Sequence, residues 1–152
     1  PIILPTLSGA QSNQLIVVID TSGSMSGAPL EQAVAELYSI LRESHQTVKL
    51  IPCDAQTFDP IELRSPADIK ALLQLPGGGG TNMILGLEYA MQQQPEPDTV
   101  LVLTDGYTPY PSDKYKIPVL YGIIGQGQLS PDVLPPNPPW GEDTVVFIDL
   151  DN

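Results

Sequence analysis

Cysteine and histidine are almost missing: Cys53 and His45 are the only ones among 152 residues. A lone cysteine excludes an internal disulfide, and nothing else in the composition points to an oxidising compartment, so a cytoplasmic setting is expected. Cationic side chains are scarce too, with 6 Lys and Arg against 18 Asp and Glu and a formal charge of −12. Such a field repels phosphates and attracts cations or basic partners, and without a basic patch to release counterions a nucleic-acid partner is not expected. No apolar run approaches the ~18 residues a membrane-spanning helix needs. The start, Pro1-Ile-Ile-Leu-Pro5, lacks the basic region of a signal peptide, so no membrane association is expected. No lysine follows the glycines at 77–80, which removes the phosphate-binding loop such a run would otherwise suggest.

What is present suits a globular α/β unit. A hydrophobic fraction of 41% supports a sizeable core, and 17 prolines with 13 glycines imply long connections around it. The length fits one domain over residues 1–152, with 1–14 as a lead-in or linker. The absence of an initiator Met points to a segment excised from a longer chain. The organising stretch is Leu15-Ile-Val-Val-Ile-Asp20, a continuous apolar run of the kind found in a central parallel strand covered on both faces. Pro29 and Glu31 open a helix from Ala28 to about Ser44, with Leu30, Val34, Leu37, Ile40 and Leu41 at helical spacing. Strands are expected at Thr47–Cys53, Ala55–Leu63 (an antiparallel edge strand), Thr99–Thr104, Ile117–Ile124 and Thr144–Leu150. Further helices are expected from Ser65, with Asp68 as a capping-box acid and Ile69, Leu72 and Leu73 inward, and from Thr81 to about Gln93. Between Tyr107 and Lys116 the chain is too short and proline-rich for a crossover helix. The fold class is therefore a mainly parallel, doubly wound, Rossmann-like sheet with helices on both faces.

Chemistry concentrates where strands of such a sheet end, which is where open α/β folds place ligands. Asp20, Ser22 and Ser24 alternate with Thr21 and Gly23 after the first strand, so their oxygens can converge. Asp105 ends the apolar run Val100–Thr104, and Thr81 follows the four glycines. Hard oxygen donors of this kind suit magnesium or calcium. The same residues are also ordinary turn formers, able to do no more than cap the following helix. Thr104 reads as a packing or loop-bonding residue rather than a ligand.

Taken together, Asp20-x-Ser22-x-Ser24, Thr81 after Gly79-Gly80, and Thr104-Asp105-Gly106 resemble the von Willebrand factor A (VWA) domain and its metal-ion-dependent adhesion site (MIDAS). The resemblance implies a metal set of Asp20, Ser22, Ser24, Thr81 and Asp105 holding Mg²⁺ or Mn²⁺. It also implies a partner protein whose carboxylate completes the coordination, and no catalysis. Pro52-Cys-Asp-Ala55 and the glycine run resemble a bacterial VWA-like subgroup found beside MoxR-type AAA+ ATPases. That narrower likeness implies such an ATPase, or a substrate it remodels, as partner.

The competing class is a metal-dependent hydrolase, either a haloacid-type phosphatase using Asp20 or an esterase using a serine. The first wants a second carboxylate two residues on, where Ser22 stands. The second wants a base, and His45 belongs to the far end of the first helix. Cys53 reads as a small packed hydrophobe. Prolines 131, 135, 136, 138 and 139 favour an extended conformation around Trp140, an aromatic read either as cover for the sheet or as an interaction anchor. Tyr107, Tyr110 and Tyr115 either rim the metal or fill the space of the missing crossover helix.

Overall fold

The computed structural model describes residues 14–72, 74–125 and 144–149. The lead-in up to residue 13, Leu73 and the proline-rich segment with Trp140 lie outside the described residues. The first strand, β1 (Leu15–Asp20), is buried along its whole length. On one side it pairs in parallel with β2 (Val48–Cys53), and β2 carries the short antiparallel edge strand β3 (Ile61–Leu63). On the other side follow β4 (Thr99–Thr104), β5 (Val119–Ile124) and β6 (Val145–Ile148), all parallel, giving the order β3-β2-β1-β4-β5-β6.

Alternation along β1 divides the core in two. Leu15, Val17 and Ile19 face the layer of helix α1 (Ala28–Ser44), packing with Met25, Ala33, Leu37, Ile40 and Leu41. Ile16 and Val18 face the layer of helix α2 (Met83–Met91), with Ile51, Met83, Leu87 and Ala90. α1 leads from β1 to β2 and α2 leads into β4, so the chain leaves the centre in opposite directions. The strand order therefore reverses between β1 and β4, and their carboxyl ends flank the resulting crevice. α2 comes close to the sheet: a Cβ at Gly86 would stand 2.5 Å from Val18 Cγ1.

The expected fold class and α1 agree with the structure; several element limits differ. The edge strand is three residues long, with only an isolated bridge between Cys53 and Thr57 before it. The segment after Ser65 forms the expected helix over Pro66–Leu72, in 3₁₀ form. Asp68 accepts from the backbone N–H of Arg64 and Ser65, at 2.7 and 3.2 Å. α2 stops at Met91 and β5 starts after Pro118. No helix joins β4 to β5. Tyr110 and Tyr115 cover the sheet there, Tyr110 meeting Tyr121 edge-to-face with ring centres 5.1 Å apart.

Candidate metal centre

β1 and β4 end side by side, and their polar ends bond to each other. Thr104, the last residue of β4, donates from Oγ1 to Asp20 Oδ2 at 2.6 Å, while Asp20 Oδ1 accepts from the Ser22 N–H at 2.9 Å. Both oxygens of Asp20 are thus engaged, and the residue is fully buried. The second bond is an Asx turn, which bends the chain out of the strand. A 3₁₀ turn, Gly23–Met25, continues it, with Met25 N–H donating to Ser22 O at 3.0 Å and its side chain buried beneath.

The hydroxyls of this turn do not cap a helix. Neither the 3₁₀ turn nor α1 has a side-chain cap, and the α1 N-cap is Gly27. Ser22 Oγ and Ser24 Oγ lie 3.3 Å apart, and Ser24 Oγ donates to Asp105 Oδ2 at 2.7 Å. Asp105 Oδ1 accepts from the Tyr107 N–H at 3.1 Å. Asp20, Ser22, Ser24 and Asp105 therefore converge through one chain of contacts. Thr81 is half-buried at the end of the glycine loop, and no hydrogen bond links it to the other four among the described residues.

The glycine loop lies against the metal turn through main-chain bonds. Gly78 N–H donates to Thr21 O at 2.8 Å and Gly23 N–H to Gly79 O at 3.0 Å. Gly77 is required by this approach, since a Cβ there would stand 2.3 Å from Thr21 O.

Electrostatically the centre is short of positive charge. Burial pushes the Asp20 carboxyl above the usual aspartate range; the hydrogen bonds from Ser22 and Thr104 pull it down, and the charge on Asp105 pushes it up. Arg42 pairs with Glu43 and Arg64 with Glu62, both on the surface, and among the described residues no basic side chain pairs with Asp20 or Asp105. No three His, Cys, Asp or Glu side chains gather for a metal among the described residues. Any cation here would rest on hydroxyls and two carboxylates, an oxygen-only set that fits Mg²⁺ or Mn²⁺.

Thr104, expected from sequence as a packing or loop-bonding residue, and two residues not singled out as site candidates, Thr108 and Asp54, bear on this arrangement. Thr104 joins the strand ends directly, also accepting from the Gly106 N–H at 3.2 Å. Thr108 caps α2, accepting from Met83 N–H at 2.8 Å. Asp54, buried after β2, accepts from Gly79 N–H at 3.1 Å and so touches the glycine loop. Its sequence signal was available: an acid immediately after an apolar strand, at the same end of a parallel sheet as Asp20 and Asp105.

The aromatics divide by role. Tyr110 donates to Gly106 O at 3.0 Å and packs on the sheet; burial and the Asp105 charge push its phenol up to about 12. Tyr107 is exposed beside Asp105. His45 is the exposed left-handed C-cap of α1, close before β2 begins and so at the opposite end of the sheet, out of reach of Ser22 and Ser24. Cys53 is buried, and burial pushes its thiol up to about 12, consistent with a packed hydrophobe.

A doubly wound sheet with its polar loops at the carboxyl ends of the two central strands defines a Rossmann-like domain of the von Willebrand factor A type. The chain belongs to the family described as VWA-like domain (DUF2201), whose model matches residues 15–148. No curated protein matches the chain. Among solved structures it is similar to the RO (RSR) protein of Deinococcus radiodurans, at 16% identity and a TM-score of 0.59, over 96% of this chain and 33% of that one. It is also similar to the conserved hypothetical protein BatB of Bacteroides thetaiotaomicron, at 16% identity and 0.56, over 76% of this chain and 68% of that one. A von Willebrand factor type A protein of Catenulispora acidiphila matches at 18% identity and 0.52, over 77% of this chain and 34% of that one. At these identities the likeness establishes the fold. Domains of this fold commonly serve as protein-interaction modules, and no helix among the described residues is long and apolar enough to cross a membrane.

Proposed function

We propose that the domain is a divalent-metal-dependent protein-interaction module without catalytic activity. The observation that carries this reading is the chain of contacts Thr104–Asp20–Ser22–Ser24–Asp105, two carboxylates and three hydroxyls with no basic partner. Ser22, Ser24 and Thr81 would hold Mg²⁺ or Mn²⁺, with Asp20 and Asp105 contributing charge largely through water. The bound cation would offer an open coordination position to a carboxylate from a partner protein. The chain's own work is orientation. Thr104 and the Ser22 N–H fix the Asp20 carboxylate, and the Asx turn it forms aims Ser22 and Ser24 towards β4.

The partner is proposed to be a cytoplasmic protein presenting an acidic residue, and the likeness to VWA-like proteins beside MoxR-type ATPases favours an AAA+ ATPase or its substrate. An esterase is less well supported because the single histidine sits at the opposite end of the sheet, and a haloacid-type phosphatase because Ser22 stands where it wants a second carboxylate. Thermal unfolding tests the metal step. Mg²⁺ at 100 times its Kd should add about 2.7 kcal/mol to the wild type and nothing to Ser22→Ala/Ser24→Ala; a wild type that Mg²⁺ and Mn²⁺ leave unchanged would refute the proposal.

A further inference from the structure

Asp54 is a buried carboxylate that lies outside the five proposed metal-binding positions, yet it touches the loop carrying one of them. It follows β2 directly, is 5% exposed, and both of its carboxylate oxygens are occupied. Oδ1 accepts from the Gln56 N–H at 2.9 Å, closing its own turn, and Oδ2 accepts from the Gly79 N–H at 3.1 Å. Its main-chain oxygen accepts from the Asn82 N–H at 2.9 Å. One residue therefore grips the chain on both sides of Thr81, by side chain before it and by main chain after it. Gly79 O in turn accepts from Gly23 N–H at 3.0 Å, between Ser22 and Ser24. The Gly79 peptides thus bridge Asp54 to the serine turn, with Thr81 two residues away. Asn82 also caps α2, its Oδ1 accepting from Ile84 N–H at 3.1 Å, so the helix start is anchored independently.

We propose that Asp54 is a positioning residue for the metal centre: it holds the Gly77–Gly80 loop so that the Thr81 hydroxyl faces the serines and Asp105. The proposal rests on the metal reading above and adds a residue to it. A four-residue glycine stretch has more backbone freedom than any other sequence of its length, so the loop needs outside bonds to keep one conformation. A hydrogen bond to a buried carboxylate is among the stronger ones available.

Two explanations of an Asp54 effect must be separated from positioning. A third carboxylate near the centre also attracts a cation through its field, and any buried acid contributes to folding. A double-substitution cycle with Thr81 separates them, because positioning acts through Thr81 while field and folding do not. Mn²⁺ binding, read from loss of the free-ion EPR signal, is measured for the wild type, Asp54→Ala, Thr81→Ala and the double variant. Asp54→Asn serves as a near-isosteric second variant, able to keep one of the two accepted bonds. Positioning predicts that Asp54→Ala weakens Mn²⁺ by about tenfold or more, equivalent to ~1.4 kcal/mol, that Asp54→Asn falls between it and the wild type, and that Asp54→Ala adds little further loss when Thr81 is already alanine. An undiminished loss in the Thr81→Ala background, or wild-type affinity in Asp54→Ala and Asp54→Asn, overturns the proposal while leaving the metal centre intact. A wild type that leaves the Mn²⁺ signal unchanged overturns the metal reading and this proposal together.

Discussion

At the scale of single residues, burial decides more than charge. Cys53 has an acid beside it in sequence and another at the end of β1, yet desolvation is the largest cause of its raised pKa. Between about pH 9 and 12 an unfolded thiol ionises while the folded one keeps its proton, so the unfolded state binds fewer protons and stability falls as pH rises. Cys53 should therefore cost the fold about 1.4 kcal/mol for each pH unit in that window. Urea midpoints of the wild type against Cys53→Ala from pH 8 to 11 check this: the variant should lose less on going up, and parallel curves would show that the thiol is not buried. A thiol-specific disulfide reagent at pH 8 should react with the native protein at least ~100-fold more slowly than in urea, because the thiolate is the nucleophile. Thr104 gives a second residue-scale test. Thr104→Val keeps the shape but leaves a buried Asp20 oxygen without its 2.6 Å donor, at an expected cost of roughly 1–3 kcal/mol in chemical denaturation.

At the scale of elements, packing overrides propensity. Gly86 lies inside α2, where alanine would ordinarily gain up to ~1 kcal/mol. The added methyl would meet Val18 Cγ1 at 2.5 Å and Cys53 Cβ at 3.3 Å. Val18 is fully buried and β-branched, so it cannot swing aside. Gly86→Ala should destabilise by about 1–3 kcal/mol despite its better helix propensity; an equal or higher urea midpoint would contradict this. Leu37→Ala, on the buried face of α1, should cost about 2–5 kcal/mol by the same measurement.

The elements also show what the sequence could and could not reveal. β1, α1, β2 and β4 were legible because their apolar periodicity is complete and their ends are marked by Pro29, Asp20 and Asp105. The antiparallel edge was placed correctly but made too long, because Phe58 and Ile61 read as one strand while Asp59-Pro60 between them breaks the ladder. The helix after Ser65 was legible but its 3₁₀ form was not, because capping chemistry at Ser65 and Asp68 is the same for both forms. Among the proposed site residues, the positions of Asp20 and Asp105 were legible, because each closes an apolar run. Asp54 was visible as an acid after a strand, but its reach to Gly79 depends on how β2 and the glycine loop meet in space, which no local pattern encodes.

At the scale of the molecule, the family match and the sheet establish the fold, and the acidic composition bears on how cations meet it. A chain with a formal charge of −12 favours cations everywhere at its surface, so non-specific attraction must be separated from a built site. Two properties do that. Attraction by net charge is screened, with a Debye length of about 8 Å at physiological ionic strength, and it does not depend on serine hydroxyls. Metal binding through the serine turn is therefore best examined by calorimetric titration of Mg²⁺ into chelator-treated protein at physiological salt, for the wild type and for Ser22→Ala/Ser24→Ala. Saturable binding of one ion is expected in the wild type, and its loss in the variant, which keeps every carboxylate. Binding that persists in the variant, or a wild type with no saturable binding of Mg²⁺, would contradict this expectation.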